Sequence, residues 1–329
     1  MSIEQWGTMQ WPSLDRAFHG ASNLVINATD TPDLSQADSM FRAFADASSI
    51  TDGFANWDVS TITNMVAAFQ GATSFNDDLS SWDVSSVTAM HLMFRDAESF
   101  NSDLSGWDVS NVEIMRSMFS SAASFNGDVS TWDVSNVKDM NQMFRNAVSF
   151  NSDISDWDVS SVENMIYMFQ STPFNQNISD WDVSNVKDMK FMFDDASSFN
   201  QDLSSWDVSS VEDMQRMFRN AVSFTSDLSS WDVSNVENMR WMFINTSFDS
   251  DISGWDVSSV TTMDRAFNDS NLSQENYENA LIAWSSLPTL QNNVLLGSSG
   301  TPYCIAESAR QSLIDDYGWT ITDAGLDCP

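Results

Sequence analysis

The sequence predicts an α/β solenoid, a right-handed stack of about eleven strand–helix coils with a small α/β C-terminal cap. Three observations predict this fold class. The tetrapeptide W-D-V-S recurs nine times at intervals of 24 or 25 residues. Each unit contains a short apolar spacing typical of a strand, and each continues with apolar residues at helical spacing. We therefore expect equivalent residues of successive units to stack on one another.

The tryptophans that open W-D-V-S set the register of the units. They are Trp57, Trp82, Trp107, Trp132, Trp157, Trp181, Trp206, Trp231 and Trp255. A phenylalanine follows each of them by twelve residues, from Phe69 to Phe267. Two degenerate units, beginning at Trp6 and Pro32, keep the same spacing. The repeats therefore extend over about residues 6–270.

Each unit is predicted to begin with a strand. In the unit at Trp107, the residues Leu104, Trp107 and Val109 form L-x-x-W-x-V, the spacing of the leucine-rich-repeat strand. Stacking such strands about 4.8 Å apart would build a parallel sheet. We expect the tryptophans to fill the core of a leucine-rich-repeat-like stack. The alternative is an exposed tryptophan stripe that binds sugar or ice.

A helix is predicted after each strand. Val112, Met115, Met118, Phe119 and Ala122 follow one another at steps of three, three, one and three. Four units carry the serine-to-glutamate spacing of a capping box, which marks a helix start. These pairs are Ser110/Glu113, Ser160/Glu163, Ser209/Glu212 and Ser234/Glu237.

The C-terminal segment departs from the repeat. Ser273 is predicted to cap a helix through NYENALIAWSSL, followed by a strand in TLQNNVLLG, a helix in AESARQSLIDDY and a strand in WTITD. Cys304 and Cys328 are the only cysteines, which favours a local disulfide over two free thiols. We divide the chain into an N-terminal cap with degenerate repeats (1–56), the W-D-V-S solenoid (57–270) and a capping segment (271–329).

The charge of the chain restricts its partners. The 47 acidic and 13 basic residues give a net charge of −34, which argues against nucleic acid because phosphate binding needs a basic surface. No apolar run is long enough to span a membrane, and the opening residues do not resemble a secretory signal. A disulfide favours an oxidising compartment. We expect an extracellular or cell-surface protein, as a fragment of an exported chain or as a virion component.

The repeat resembles a known family. Units such as NVKDMNQMFRNAVSFNSDISDWDVS are close to the 25-to-26-residue repeats of bacterial surface proteins called BspA-like, the DUF285 family. The resemblance covers most of the chain. It implies a leucine-rich-repeat-like solenoid, a cell-surface or secreted location, and a role in adhesion or host interaction. It brings no catalytic residue.

Aspartates form the most regular polar rows of the sequence. Like charges on neighbouring strands repel, so some interaction must offset them. One interpretation is that each carboxylate accepts hydrogen bonds from backbone amides or serine hydroxyls. The other is calcium, which prefers oxygen ligands. Cofactors are otherwise not expected, and the calcium candidates are Asp153, Asp156, Asp158, Asp180 and Asp182.

Binding is predicted where the repeat varies. The residue between the two methionine positions is Tyr167, Phe191, Arg216 and Trp241 in four successive units. Tyrosine, tryptophan and arginine are enriched at interaction hot spots, so this row is a candidate binding surface. The alternative is that the four side chains only pack against their neighbours.

These features predict a non-enzymatic surface or adhesion module that binds a protein or glycan partner. A second copy of the chain is a further partner to test, through self-association. The two histidines lie in different units, and the carboxylates recur at repeated positions, so neither marks a catalytic site. The alternatives are a phage or particle-surface fibre component, a structural spacer and, less favoured, a glycan-active enzyme.

Overall fold

A computed structural model describes residues 1–328. Strands β1 (Ser2–Ile3) and β2 (Val25–Ile26) pair in parallel near the N-terminus. The C-terminal segment contains helix α1 (Gln274–Ser285), strand β3 (Leu295–Ser298), helix α2 (Glu307–Tyr317) and strand β4 (Thr320–Asp323). Strands β3 and β4 form a second parallel pair.

The predicted stack of eleven strand–helix coils is wrong. Residues 27–273 consist of turns, bends and isolated bridges, without a helix or a named strand. The predicted strand at Trp107 is a pair of tight turns, because the Trp107 amide donates to Leu104 O at 3.0 Å and the Val112 amide to Val109 O at 2.9 Å. An amide that donates within its own repeat is not available for a sheet ladder with the next repeat, and neighbouring repeats pair only through isolated bridges such as that between Ile114 and Asp139.

The predicted helices are replaced by an alternating pattern of hydrogen bonds. Every second amide from Met115 to Ser121 donates to the carbonyl 24 residues later, beginning with Asp139 O at 2.9 Å and ending with Arg145 O at 2.7 Å. The amides of Met118 and Ser120 between them donate three residues back, to Met115 O and Ser117 O, each at 3.2 Å. Alternate amides therefore bond to the next repeat, whereas in a helix every amide would bond within its own repeat.

Left-handed residues explain why these segments are not helical. Ser117 has φ of 53° and Ser121 has φ of 58°, and a residue with positive φ cannot continue a right-handed helix. The position of Ser121 is occupied in seven of the nine full repeats by Gly, Asn or Asp, which favour this conformation, and in the other two by serine. They are Gly71, Asp96, Ser121, Asn146, Ser171, Asp195, Asn220, Asn245 and Asp269.

The serines of the predicted capping boxes also have a different partner. The Ser110 amide and hydroxyl both donate to Asp108 Oδ1, at 3.0 and 2.6 Å. The Asp-x-Ser segment is thus a local turn rather than the start of a helix.

A left-handed backbone and a helix predict opposite effects of glycine at Ser121 on the free energy of unfolding. We expect Ser121→Gly to keep or raise the free energy of unfolding, whereas Ser121→Val should lower it by about 1–2 kcal/mol because a β-branched side chain is strained at positive φ. In a helix, glycine would be about 1 kcal/mol worse than alanine. Urea denaturation of the Gly, Ala and Val variants distinguishes the two, and a stability order of Ala above Gly would contradict this backbone.

The chain forms two compact units. The first contains residues Met1–Val162 and Ser171–Gln176, and the second contains Glu163–Gln170 and the described chain from Asn177 onward. In the first unit, the rings of Phe94, Phe119 and Phe144 stack at 5.7 Å. In the second, Phe193 stacks on Phe218 at 5.6 Å. The prediction that equivalent residues stack is confirmed within each unit.

The tryptophans lie in the core. Those of the nine W-D-V-S motifs are at most 4% exposed, so the alternative of an exposed sugar- or ice-binding stripe is wrong. In the first unit, Trp82, Trp107, Trp132 and Trp157 stack in nearly parallel planes. Their burial supplies the hydrophobic stabilisation that short turns alone cannot.

The predicted C-terminal elements are confirmed. Ser273 Oγ accepts the Asn276 amide at 3.4 Å at the start of α1, and α2 ends at Gly318 in the left-handed conformation. Cys304 and Cys328 form the predicted disulfide, with Cα atoms 5.0 Å apart. The boundaries at residues 56/57 and 270/271 stay predictions. Among residues 1–328, neither helix is long and apolar enough to cross a membrane.

Candidate functional site

The candidate binding residues lie in contact in the second unit. We call Tyr167, Phe191, Arg216 and Trp241 the aromatic–arginine row. The Tyr167 and Phe191 rings stack with centroids 4.3 Å apart. The Arg216 guanidinium lies 5.3 Å from the Phe191 ring centre and 4.0 Å from that of Trp241, which Arg240 also approaches at 4.6 Å. The sequence placed these four side chains together correctly.

The backbone explains why the row is continuous. All four residues are left-handed, with φ between 56° and 62°. The amides of Phe191 and Arg216 donate to carbonyls of the following repeat, at 2.9 Å to Gln215 O and 3.0 Å to Arg240 O. Equal backbone conformations then point successive side chains the same way. Bulky residues at positive φ are uncommon and cost about 1–3 kcal/mol each, so the surrounding hydrogen bonds must hold them there.

The row also contains hydrogen-bond donors without acceptors. All four side chains are half-buried, and neither Arg216 Nε nor Trp241 Nε1 has a hydrogen-bond partner. Burial, with a smaller contribution from the charge of Arg219, lowers the pKa of Arg216. Guanidinium–aromatic contacts contribute about 0.5–2 kcal/mol, so the row is stabilised internally while these two donors are left over.

A buried ion pair lies beside the row. Asp194 is fully buried, and the Nη2 of Arg219 donates to its Oδ2 at 3.0 Å. Gln170 Nε2 also donates to Asp194 Oδ2 at 3.0 Å, and Arg219 reaches Asp195 at 3.0 Å. Burial raises the pKa of Asp194 despite the hydrogen bonds and charge of Arg219. The pair therefore orders the polar side of this surface at a desolvation cost.

Sequence analysis missed this pair, although a signal was present. Asp194 directly follows Phe193, at a position that is Gln170 in the preceding repeat and Arg219 in the next. Among the nine full repeats it is the only acidic residue there. A lone carboxylate stacked beside an arginine at equivalent positions predicts an ion pair once the stacking register is accepted.

Three of the five calcium candidates, Asp153, Asp158 and Asp182, use their carboxylates in local turns. In the first unit, Asp153 Oδ1 accepts the Ser155 amide and Asp158 Oδ1 accepts the Ser160 amide, each at 3.0 Å. The Ser155 amide is the largest cause of the lowered pKa of Asp153. Residues 1–328 contain no group of three or more His, Cys, Asp or Glu side chains placed to hold a metal ion.

The remaining calcium candidates are divided between the two compact units. Asp156 lies in the first unit, whereas Asp180 and Asp182 lie in the second. Asp182 Oδ1 accepts the Ser184 amide at 3.0 Å and the Ser184 hydroxyl at 2.6 Å. These bonds support the framework interpretation of the aspartates, and the five-residue calcium set stays a prediction.

Thermal melting distinguishes calcium from framework hydrogen bonds. We expect the same midpoint in excess EDTA and in millimolar calcium, because serine amides and hydroxyls already satisfy the repeated carboxylates. Magnesium at the same ionic strength controls for charge screening. A midpoint that rises with calcium alone and returns with EDTA would support the calcium set, since a ligand of the folded state stabilises it.

One family model matches the chain. Described as "Mycoplasma protein of unknown function, DUF285", it matches residues 38–151, 103–193, 126–225 and 170–280. These overlapping matches extend from residue 38 to residue 280, which is more than half of the 329 residues. No curated protein matches the chain.

Proposed function

The chain belongs to the DUF285 family, whose function is unknown, and from this premise we propose that it is a non-enzymatic surface or adhesion module whose aromatic–arginine row binds a partner protein. The observation that carries the proposal is the contact of Tyr167, Phe191, Arg216 and Trp241 on one half-buried surface. Aromatic residues and arginine are the residue types that carry most binding energy at protein interfaces.

The charge and the rings of the row define what the partner must offer. Arg216 Nε and Trp241 Nε1 are themselves buried, so they lie beneath the surface that a partner contacts. The Arg216 and Arg240 guanidinium groups and the aromatic rings form that surface. A partner with exposed acidic side chains near an apolar patch complements both.

The stacking favours a protein over a glycan. A sugar ring binds against an open aromatic face, but Tyr167 and Phe191 cover one another and Arg216 lies over both Phe191 and Trp241. Each of the three rings therefore has a face covered by a neighbour, which leaves less open aromatic face for a sugar. Rings that alternate with guanidinium groups suit the irregular apolar and acidic surface of a protein.

The proposed location is extracellular or at a cell surface. Disulfides persist in oxidising compartments, and the Cys304–Cys328 bond supports such a location. A net charge of −34 keeps the chain soluble where salt screens its self-repulsion. A particle-surface fibre component or a spacer would share these properties, and the binding experiment separates them from an adhesion module.

Serine substitutions at the row test the proposal. We would screen the intact chain against arrays of extracellular proteins and of glycans, and then repeat the screen with Phe191→Ser combined with Trp241→Ser. Serine already occupies the equivalent left-handed position at Ser117, so the backbone accepts it. We expect binding to a protein partner to weaken about 30-fold or more, as hot-spot truncation of at least 2 kcal/mol implies.

Matched substitutions outside the row provide the control. Leu92 and Gln142 occupy the same repeat position in the first unit, are left-handed and are half-buried. Leu92→Ser with Gln142→Ser should leave binding unchanged. Equal losses in both double variants, or a loss of stability at the row with unchanged binding, would favour packing as the sole role of the row. Binding confined to the glycan array would favour a glycan partner.

A further inference from the structure

Two arginines of the first unit share one phenylalanine ring. The Arg16 guanidinium lies 5.3 Å from the Phe41 ring centre, and the Arg42 guanidinium lies 5.8 Å from it. Arg16 is exposed, whereas Phe41 and Arg42 are half-buried. We call these three residues the Arg–Phe–Arg cluster. The cluster belongs to the first unit, whereas the aromatic–arginine row belongs to the second.

The backbone holds the two arginines side by side. Both are left-handed, with φ of 53° and 52°, and the Arg16 amide donates to Phe41 O at 2.8 Å. Phe18 and Phe44, which follow the two arginines in their repeats, stack with ring centres 5.1 Å apart, a distance that measures the spacing of these repeats. Equal backbone conformations one repeat apart point both side chains the same way. Two positive charges are thus held close together, where they repel each other.

Neither guanidinium has an acceptor in the protein. Within residues 1–328, Arg16 and Arg42 form no ion pair and no side-chain hydrogen bond. The nitrogens of Arg42 are not enclosed, in contrast to Arg216 Nε, so they reach solvent. Such a pair is unexpected in a chain with 47 acidic and 13 basic residues. Both guanidinium groups therefore offer their N–H donors to a ligand.

The sequence explains why no carboxylate reaches the cluster. A later repeat places Asp139 directly before its first methionine, where the carboxylate pairs with Arg116 at 2.7 Å. The same position in the repeats around the cluster holds Ser39 and Asn64. Neither residue carries a charge, so the arginines lack the counter-ion that this position supplies elsewhere in the first unit.

The acidic residues on either side of the cluster in the sequence have other partners. Asp15 Oδ1 accepts the Ser39 hydroxyl at 2.5 Å and the Phe41 amide at 3.0 Å. Asp46 Oδ2 lies 3.3 Å from His19 Nε2. These contacts hold both carboxylates in the framework and leave the charges of the two arginines without a direct partner.

We propose that the Arg–Phe–Arg cluster binds a phosphoryl group, as free phosphate or as a phosphate monoester. A phosphoryl group carries a charge of about −1.5 to −2 near neutral pH, which matches two guanidinium groups. Its oxygens accept from two planar forks, each able to donate two parallel hydrogen bonds. Polyanions such as nucleic acid are a poor fit, because the net charge of −34 repels each further phosphate. The proposal does not rest on the proposed function, which uses residues of the other unit.

Arginine Nε–Hε resonances, measured by ¹H–¹⁵N NMR at neutral pH, test the site. The signals are assigned by their loss in Arg16→Gln and in Arg42→Gln, and glutamine already occupies this left-handed repeat position at Gln142. The intact chain is titrated with sodium phosphate, methyl phosphate and sodium acetate, with sodium chloride holding the ionic strength constant. We expect saturable shifts of both signals with phosphate. Equal shifts with methyl phosphate would support an ester-borne group, and shifts with phosphate alone would support free phosphate.

Matched variants separate the site from general charge effects. Each of Arg16→Gln and Arg42→Gln should weaken phosphate binding, measured by calorimetry, by about tenfold or more, because it removes charge-assisted hydrogen bonds. Arg95→Gln removes the same charge from an arginine that pairs with Asp96 at 3.2 Å, and it should leave binding unchanged. The double serine variant of the aromatic–arginine row should also keep phosphate binding, so failure of one proposal is distinguishable from failure of the other. Unchanged urea midpoints of both Gln variants would show that they fold.

Three results would overturn the proposal. The first is the absence of a shift of the Arg16 and Arg42 signals at about 50 mM phosphate, where a Kd of a few millimolar gives near saturation. The second is acetate binding as tightly as phosphate, since a carboxylate carries one charge. The third is an equal loss of binding in Arg95→Gln, which would mean diffuse attraction to surface cations.

Discussion

Replacing Arg219 by methionine is expected to lower the free energy of unfolding by about 3–5 kcal/mol, because it leaves the buried Asp194 carboxylate without its cation. Asp194 is fully buried while the Arg219 side chain is 25% exposed, so the carboxylate bears most of the desolvation cost. Urea denaturation of the intact chain measures the loss. The double variant Asp194→Leu with Arg219→Met removes both charges and should recover most of it.

The pH dependence of the Arg219→Met defect has a definite sign. Burial already raises the pKa of Asp194, and loss of the arginine removes the main interaction that opposes burial. A carboxyl whose folded pKa lies above its unfolded pKa binds protons more readily in the folded state, so folding gains stability as pH falls. The variant should therefore approach the parent as pH falls through the Asp194 pKa. A defect that grows toward acid pH, or a double variant as unstable as the single one, would contradict a buried ion pair.

Removing the disulfide by Cys304→Ala with Cys328→Ala is expected to destabilise the C-terminal segment by about 3–4 kcal/mol, the chain-entropy value for a loop of this length. Residues flanking the disulfide also hold α1. Glu278 of α1 accepts the Ile305 amide at 3.0 Å, and Gln274 donates to Asp327 O at 3.1 Å. Loss of the bond should loosen these contacts and the helix with them.

Circular dichroism at the helical band reports selectively on this segment, because α1 and α2 are the only α-helices among residues 1–328. The helical signal of the double variant should melt before the rest of the chain. Reductant should shift the parent to the same behaviour and leave the variant unchanged. Coincident melting of parent and variant would mean that packing of α1 and α2 alone maintains the segment.

The sequence predicted the residues that meet, and the structure confirmed them. The period placed Phe94 against Phe119, the variable position placed Phe191 against Arg216, and the two cysteines predicted their own bond. Repetition makes these inferences dependable, because any regular packing of similar repeats brings equivalent positions together.

The path of the backbone within each unit could not be predicted from apolar spacing. Steps of three, three, one and three from Val112 to Ala122 fit one face of a helix, but they fit a chain of turns equally well. The deciding interactions are the hydrogen bonds from alternate amides to carbonyls 24 residues away, which hold Ser117 and Ser121 in the left-handed region. Local propensity cannot predict these hydrogen bonds, since they form only once the repeats are stacked. The sequence by itself thus determined the register, the core and the C-terminal elements. Only the tertiary structure decided that the repeats are turns rather than strands and helices. The hydrogen bonds between successive repeats outweigh the local preference for helix.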